Sequence, residues 1–266
     1  MPSFCVACFE INLTPKNVST FLPCLPASYT TDFHGGCDLL LASFPDFAQG
    51  LGLTVQVRTT TRYDYSFIET AAIMIGGEIL QVSSHGHYMV GGISDAEMPA
   101  TIAGYPVEHT HLYEKQHRFT VDLGDDKNIE LKVYKDLVYV KLNLRRGQYN
   151  TEFDSGFGIL GSWNNGARLA RDGATILDDD IEFGNEWQVR DTDVNLFAFT
   201  RAPQWPAKCE MPDPAARPSR RLGESAVSAE AASAACAHIK DQHRNEMCVY
   251  DVLATADLSV AQGGAY

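Results

Sequence analysis

Residues 51–62, LGLTVQVRTTTR, set Leu53, Val55 and Val57 against Thr54, Gln56 and Arg58 with a period of two. That alternation is the pattern of a strand with one buried and one solvated face. Before it, CDLLLAS (37–43) is a short continuous apolar run, as a strand buried on both faces would show. After it, SFIETAAIMIG leads into Gly76-Gly77, a hairpin signal, and the chain returns as EILQVSS. HYMVGG, AGYPVEHTHLY, HRFTVDL, NIELKVYK and LVYVKLNL follow, separated by turns such as Gly124-Asp125-Asp126 and Lys135-Asp136. Strands recurring roughly every ten residues, with no helical period between them, predict a mainly β, antiparallel sandwich or barrel rather than a parallel α/β sheet.

The ends of the chain read differently. Residues 1–32 hold no sustained period and carry Pro15, Pro23 and Pro26, so an irregular arm with at most a short edge strand is expected. Beyond Val189, the stretch Asp193 to Thr200 is read as a helical turn. APQWPAKCEMPDPAARPSRR then forms a proline-rich tether across the surface. Ser225 or Ser228 can cap the alanine-rich helix SAEAASAACAHIK, and Asp241 opens a second helical stretch through Met247, Cys248, Val249, Val252 and Leu253. The expected organisation is an arm (1–32), a β domain (33–200), a tether (201–222) and a small helical module (223–266).

One stretch concentrates polar chemistry. Phe157 to Val189, FGILGSWNNGARLARDGATILDDDIEFGNEWQV, combines the turn dipeptides Asn165-Gly166 and Asp172-Gly173 with an acidic run (Asp178, Asp179, Asp180, Glu182) and the aromatic residues Phe183 and Trp187. Asn, Asp and Ser side chains with free carbonyls are hard oxygen donors, the ligand type that Ca²⁺ prefers. Turn chemistry by itself accounts for the same letters. His85 with His87, and His109 with His111, stand two apart, on one face of any strand, and so offer paired imidazoles to a metal. No neighbouring Cys or acid completes a ligand set, and a solvated strand face explains them more simply. No GxSxG, P-loop or GxGxxG pattern is present.

Charge and cysteine content narrow the setting. With 34 acidic against 21 basic side chains the net charge is -13, which opposes binding to phosphate backbones and anionic membranes, so no nucleic-acid partner is expected. No run approaches the roughly 18 to 20 apolar residues of a membrane span. The apolar start FCVACF is followed at once by Glu10 and makes a poor signal peptide. Seven cysteines (Cys5, Cys8, Cys24, Cys37, Cys209, Cys236, Cys248) suit an oxidising compartment, and their odd number leaves at least one outside any intramolecular pair. Cys236 and Cys248 are plausible partners in a local disulfide, worth roughly 3 kcal/mol by chain entropy. Cys37 and Cys209 could then tie the first sheet strand to the tether. Cys5-Val6-Ala7-Cys8 has CxxC spacing but no supporting context for thiol exchange or zinc. Asn12 and Asn17 head glycosylation sequons, the first weakened by Pro15. These features lead to an expectation of an extracellular protein whose true N-terminus is missing or misassigned.

FHGGCDLLL, the meander with SFIETAAIMIGGEILQV, the FGILGSWNNG turn, RDGATI and especially FGNEWQV resemble the von Willebrand factor type D domain, in the order that domain uses. The resemblance spans about Phe33 to Cys209. The C-terminal helices are similar to a reduced form of the cysteine-rich helical module that often follows it. The resemblance implies a β-sandwich in a secreted or surface protein with an adhesive, mucous or matrix role and no catalysis. It also supports pairing Cys37 with Cys209, because the cysteine of the early GxC strand commonly reaches one beyond the Trp-x-Val segment. Two departures matter for calcium. Ala27 falls about where the family's ligand aspartate belongs, and Leu160-Gly161-Ser162 replaces its Cys-Gly-Asn turn. Asn164, Asn165 and Asp172 remain as metal candidates, with Ser162 weaker.

The resulting expectation is a non-enzymatic, secreted structural or adhesive domain, steadied by Ca²⁺, whose partners are extracellular proteins, glycans or further copies of itself. The alternatives are a metal-dependent hydrolase using the histidine pairs and the acidic loop, and an extracellular glycan- or protein-binding module.

Overall fold

The computed structural model describes residues 9–11, 33–62, 65–113, 116–144, 151–213 and 227–263. A short strand, β1 (Phe9–Ile11), precedes two meanders. The first comprises β2 (Asp38–Phe44), β3 (Leu53–Arg62), β4 (Tyr65–Ile75), β5 (Glu78–Ser83), β6 (Tyr88–Val90) and β7 (Ile93–Ser94), each antiparallel to the next. The second comprises β8 (Ala100–Ile102), β9 (Tyr105–Tyr113), β10 (Gln116–Gly124), β11 (Lys127–Tyr134) and β12 (Leu137–Asn143), with β1 lying parallel on the edge of β12. The expected mainly β sandwich is therefore what forms, and the short edge strand in the arm is β1.

Period-two patterning builds the core. Leu53, Val55 and Val57 of β3 are fully buried, and β11 alternates buried Ile129, Leu131 and Val133 with half-buried partners along its length. These side chains join Leu41, Phe44, Ile73, Leu80, Phe119, Val121, Val140 and Leu142 in one cluster drawn from both sheets. Burying such side chains contributes roughly 1.5–3 kcal/mol each. This apolar layer is what makes the two meanders one unit.

The outer face of the first sheet departs from the expectation. Gln56, on the face expected to be solvated, is 1% exposed because the segment 193–201 crosses over it. Gln56 Nε2 donates to the Val194 carbonyl at 2.7 Å and Gln56 Oε1 accepts from Leu196 N at 3.0 Å; Gln81 Oε1 accepts from Ala198 N at 2.9 Å. Side chains of the sheet thus satisfy backbone groups of this strap, and Leu196 and Phe197 bury themselves against Ala72, Met74 and Ile79. The helical turn expected over Asp193 to Thr200 does not form, because its backbone groups have these partners instead.

The helical elements are α1 (Phe47–Gly50), a single turn; α2 (Asp180–Glu186); and, at the C-terminus, α3 (Ala229–Cys236), α4 (Gln242–Thr255) and α5 (Val260–Gly263). Ser228 caps α3 through Ala231 N and Asp241 caps α4 through Arg244 N, so the sequence signals placed both helix starts. Ala232, Cys236, Cys248, Val252, Val260 and Ala261 form a second, smaller core. Tyr134 and Leu137, at the β11–β12 turn, pack against it. Tyr134 also donates to Ser259 Oγ at 2.6 Å, and Lys135 bonds both Asp257 and Ser259. The helical module is docked on the sandwich through this turn.

Candidate functional site

The stretch 157–189 closes the free edge of β2. Ser43 and Phe157 exchange both backbone bonds (2.8 and 3.1 Å), and Ile159 N donates to the Leu40 carbonyl at 3.0 Å. Further along the same edge, Leu40 N donates to the Trp187 carbonyl at 2.8 Å and Val189 N to the Asp38 carbonyl at 2.9 Å. An open strand edge invites pairing with other chains, and these two short pieces block it. Gly158 makes the approach possible: a Cβ there would stand 2.4 Å from the Leu41 carbonyl oxygen, at a φ of +149°.

Between these two pieces the chain forms a small hairpin. Ala170 N donates to Thr175 O and Leu177 N to Arg168 O, with Asp172-Gly173 at the tip. Asp172 is spent on its own turn: Oδ1 accepts from Ala174 N and Thr175 N, both at 2.8 Å, and Oδ2 from Thr175 Oγ1 at 2.6 Å. The Thr175 hydroxyl and amide, then the Ala174 amide, hold its carboxyl down at about 2. Asn165 Oδ1 likewise accepts from Ala167 N at 2.9 Å, in the turn before the hairpin. Asn164 is exposed, and Ser162 shares its backbone with Gly166 and Ala167. The four expected metal donors therefore lie at opposite ends of the hairpin, two of them committed to turn amides. Placed so, they do not fit a calcium ion, which needs six to eight converging oxygens. Among the described residues no three His, Cys, Asp or Glu side chains stand ready to hold a metal.

The acidic run has a different task from the one its letters suggest. Asp179 Oδ1 accepts from Glu182 N at 2.8 Å and caps α2, whose first turn holds Asp180 and Glu182. Carboxylates at a helix start are favoured by the unpaired amides and the helix dipole. FGNEW is mostly this helix, and only Trp187–Val189 runs along β2. Arg171, which the sequence did not single out, clamps the unit. Its guanidinium binds Asp193 with two bonds (2.9 and 2.8 Å) and the carbonyls of Glu186 and Gln188, and lies 5.1 Å from the Trp187 ring centroid.

Cys37 and Cys209 are disulfide-bonded, as are Cys236 and Cys248. The first bond joins the start of β2 to the tether beside the Gly36↔Glu210 bridge, and Gln188 Nε2 donates to Cys209 Sγ at 2.9 Å. Cys5, Cys8, Cys24, Ala27 and the sequon residues Asn12 and Asn17 lie outside the described residues.

Of the two histidine pairs, His109 and His111 gather with His117, which lies eight residues from His109, while His87 acts on His117 from the neighbouring turn. The β9–β10 register sets Phe119 opposite His109 and His117 opposite His111. Phe119 stacks on His109 (centroids 4.3 Å apart, planes 3° off parallel) and His117 on His111 (4.7 Å, 17°). His109 Nε2 and His117 Nδ1 meet at 3.1 Å while their ring centroids are 5.3 Å apart, so these two rings join through their nitrogens. The column runs from the buried Phe119 to the exposed His111. Burial, then His111, lowers the affinity of His109 for a proton; burial, then His109, His111 and His87, does so for His117. His117 was the missing member, and the register, which the sequence does not state, is what recruits it.

Comparison with protein-family profiles and with curated proteins finds no match to this chain.

Proposed function

We propose that this chain is a non-catalytic, extracellular structural or adhesive module built like a von Willebrand factor type D domain. The observation that carries this reading is the Cys37–Cys209 disulfide, which joins the early GxC strand to the cysteine beyond Trp187–Val189, the pairing the resemblance implies. Its setting adds support: the Trp-x-Val segment lies directly along β2, and FGILG covers the rest of that edge. Two disulfides, one in each core, suit the oxidising conditions outside the cell. No helix among the described residues is long and apolar enough to cross a membrane. On this reading the partners are extracellular proteins, glycans or further copies of the chain, met through the sheet faces and loops.

Mass spectrometry of natively produced protein under non-reducing conditions tests the proposal. Linked peptides containing Cys37 with Cys209 and Cys236 with Cys248, together with sugar on Asn17, are expected. Fully reduced thiols in native material would contradict it. Metal-dependent hydrolysis in a broad substrate panel, lost on His109→Ala or His111→Ala, would replace it with the hydrolase reading.

A further inference from the structure

The histidine column sits where the first sheet closes over the second. The 3-10 turn Ser84–Gly86, which links β5 to β6, leaves its own sheet and lies against β10, β11 and β12. Its backbone is pinned to the second sheet by His85 N donating to the Lys135 carbonyl at 2.8 Å, while Ser83 N donates to the His87 carbonyl at 2.8 Å and closes the turn on itself. Gly86 rests on the His117 ring so closely that a Cβ would stand 2.5 Å from it, and the left-handed φ of +79° keeps the position for glycine. The turn is seated directly on the imidazole column.

We propose that the column is an acid-sensitive clasp, which holds the Ser84–Gly86 turn on the second sheet while its histidines are neutral and releases it when the cluster takes up more than one proton. A single N–H···N bond joins His109 to His117, one ring donating and the other accepting. One added proton on the pair leaves that bond in place, because a charged imidazole still donates to a neutral one. A second proton sets two N–H groups head to head and removes the acceptor. The stacked His111 and nearby His87 place two further imidazoles beside them.

The groups facing the cluster favour this outcome. β9 contributes His109 and His111, β10 His117, and the turn with β6 His85, His87 and Tyr88; Phe119 closes the inner end without charge. The β11–β12 turn contributes Lys135 and Asp136. Among the described residues that face the cluster, Asp136 is the single carboxylate; it lies 3.1 Å from exposed His85 and is itself exposed, so water screens the pair. That contact reaches only the outer end of the column. The sign is fixed by linkage. The unfolded histidines bind protons more readily than His109 and His117 do in the fold, so stability is full above the ordinary histidine value of about 6.5 and falls as the pH drops below it.

Imidazole NMR titration of the full chain, with amide hydrogen exchange corrected for intrinsic rates, tests the clasp. His109 and His117 should titrate below the ordinary histidine range. Protection of the His85 amide should fall at least about tenfold between pH 7.5 and 5, while amides of β3 and β4 keep theirs. The double variant His109→Gln, His117→Asn keeps polar atoms where Nε2 and Nδ1 stood but takes up no proton, and should flatten that pH dependence. Ordinary titration of both wild-type histidines, or His85 protection unchanged across this range, would overturn the proposal whether or not the variant folds.

Discussion

Replacing both Cys37 and Cys209 with alanine separates the role of the cross-link from that of packing. The bond spans 172 residues, so the chain-entropy estimate for closing that loop in the unfolded state is about 5 kcal/mol. Measured losses for native disulfides run at about 2–5 kcal/mol, because the unfolded chain keeps some structure. Both cysteines are buried, at 2% and 5% exposure, and alanine leaves only small voids, so the cross-link carries most of the effect. Gln188 keeps its bond to Asn185 Oδ1 at 3.0 Å when the sulfur goes, so no donor is stranded. At about 2–4 °C per kcal/mol for a domain of this size, the melting temperature should fall by around 10 °C. Urea unfolding followed by the fluorescence of buried Trp163 and Trp187 gives the free energy directly, provided the slope with denaturant stays constant. The matched double variant at Cys236 and Cys248 closes a separation of only 12, worth about 3 kcal/mol, and should loosen α3 to α5 while the tryptophan signal holds. A loss under about 1 kcal/mol at Cys37 and Cys209 would mean that edge pairing on β2 already holds the tether, and would refute the cross-link argument.

Phe44 is fully buried edge-on between Phe153 (5.2 Å) and Trp163 (5.0 Å), so Phe44→Ala should cost about 3–5 kcal/mol in urea unfolding. Asp257→Asn should release α4 and α5 from the β11–β12 turn, seen as faster amide exchange at Ser259 and Val260 with the sandwich transition unchanged. Acid should do the same: burial raises the Asp257 carboxyl, but bonds from Lys135 and Ser259 outweigh it and hold it below the ordinary carboxylate range. Its contribution is therefore present above the unfolded value of about 3.9 and lost as the pH falls through the folded one. Adding a chelator should leave the melting temperature unchanged within about 1 °C, since Asp172 and Asn165 already satisfy turn amides; a clear metal-dependent shift would mean that the loop rearranges around an ion.

Expectations failed where a long-range partner intervened or where a nearby backbone amide claimed the side chain. Gln56 reads as a solvated strand residue, yet the strap from 193 to 201 covers it, and that strap abandons its helical turn for the sheet's glutamines. The run DDDIE reads as a ligand cluster, but its second aspartate caps a helix two turns long. Arg171 looks like an ordinary loop residue until the fold gathers Asp193 and the end of α2 around it.

What the sequence determined by itself is whatever local periodicity and turn chemistry dictate. The strands of β3 and β11 follow from alternation, the hairpins from their turn residues, and the starts of α3 and α4 from Ser228 and Asp241, because these depend on neighbours within a few residues. Tertiary structure decided which edges and registers meet. Only the β9–β10 register turns one histidine pair, His109 and His111, and a lone His117 into one column, and only the β2 edge turns the polar stretch 157–189 into a cover for a strand. The physical reason is that contacts between residues far apart in the chain are chosen by the packing of whole elements, and no window along the sequence contains both partners.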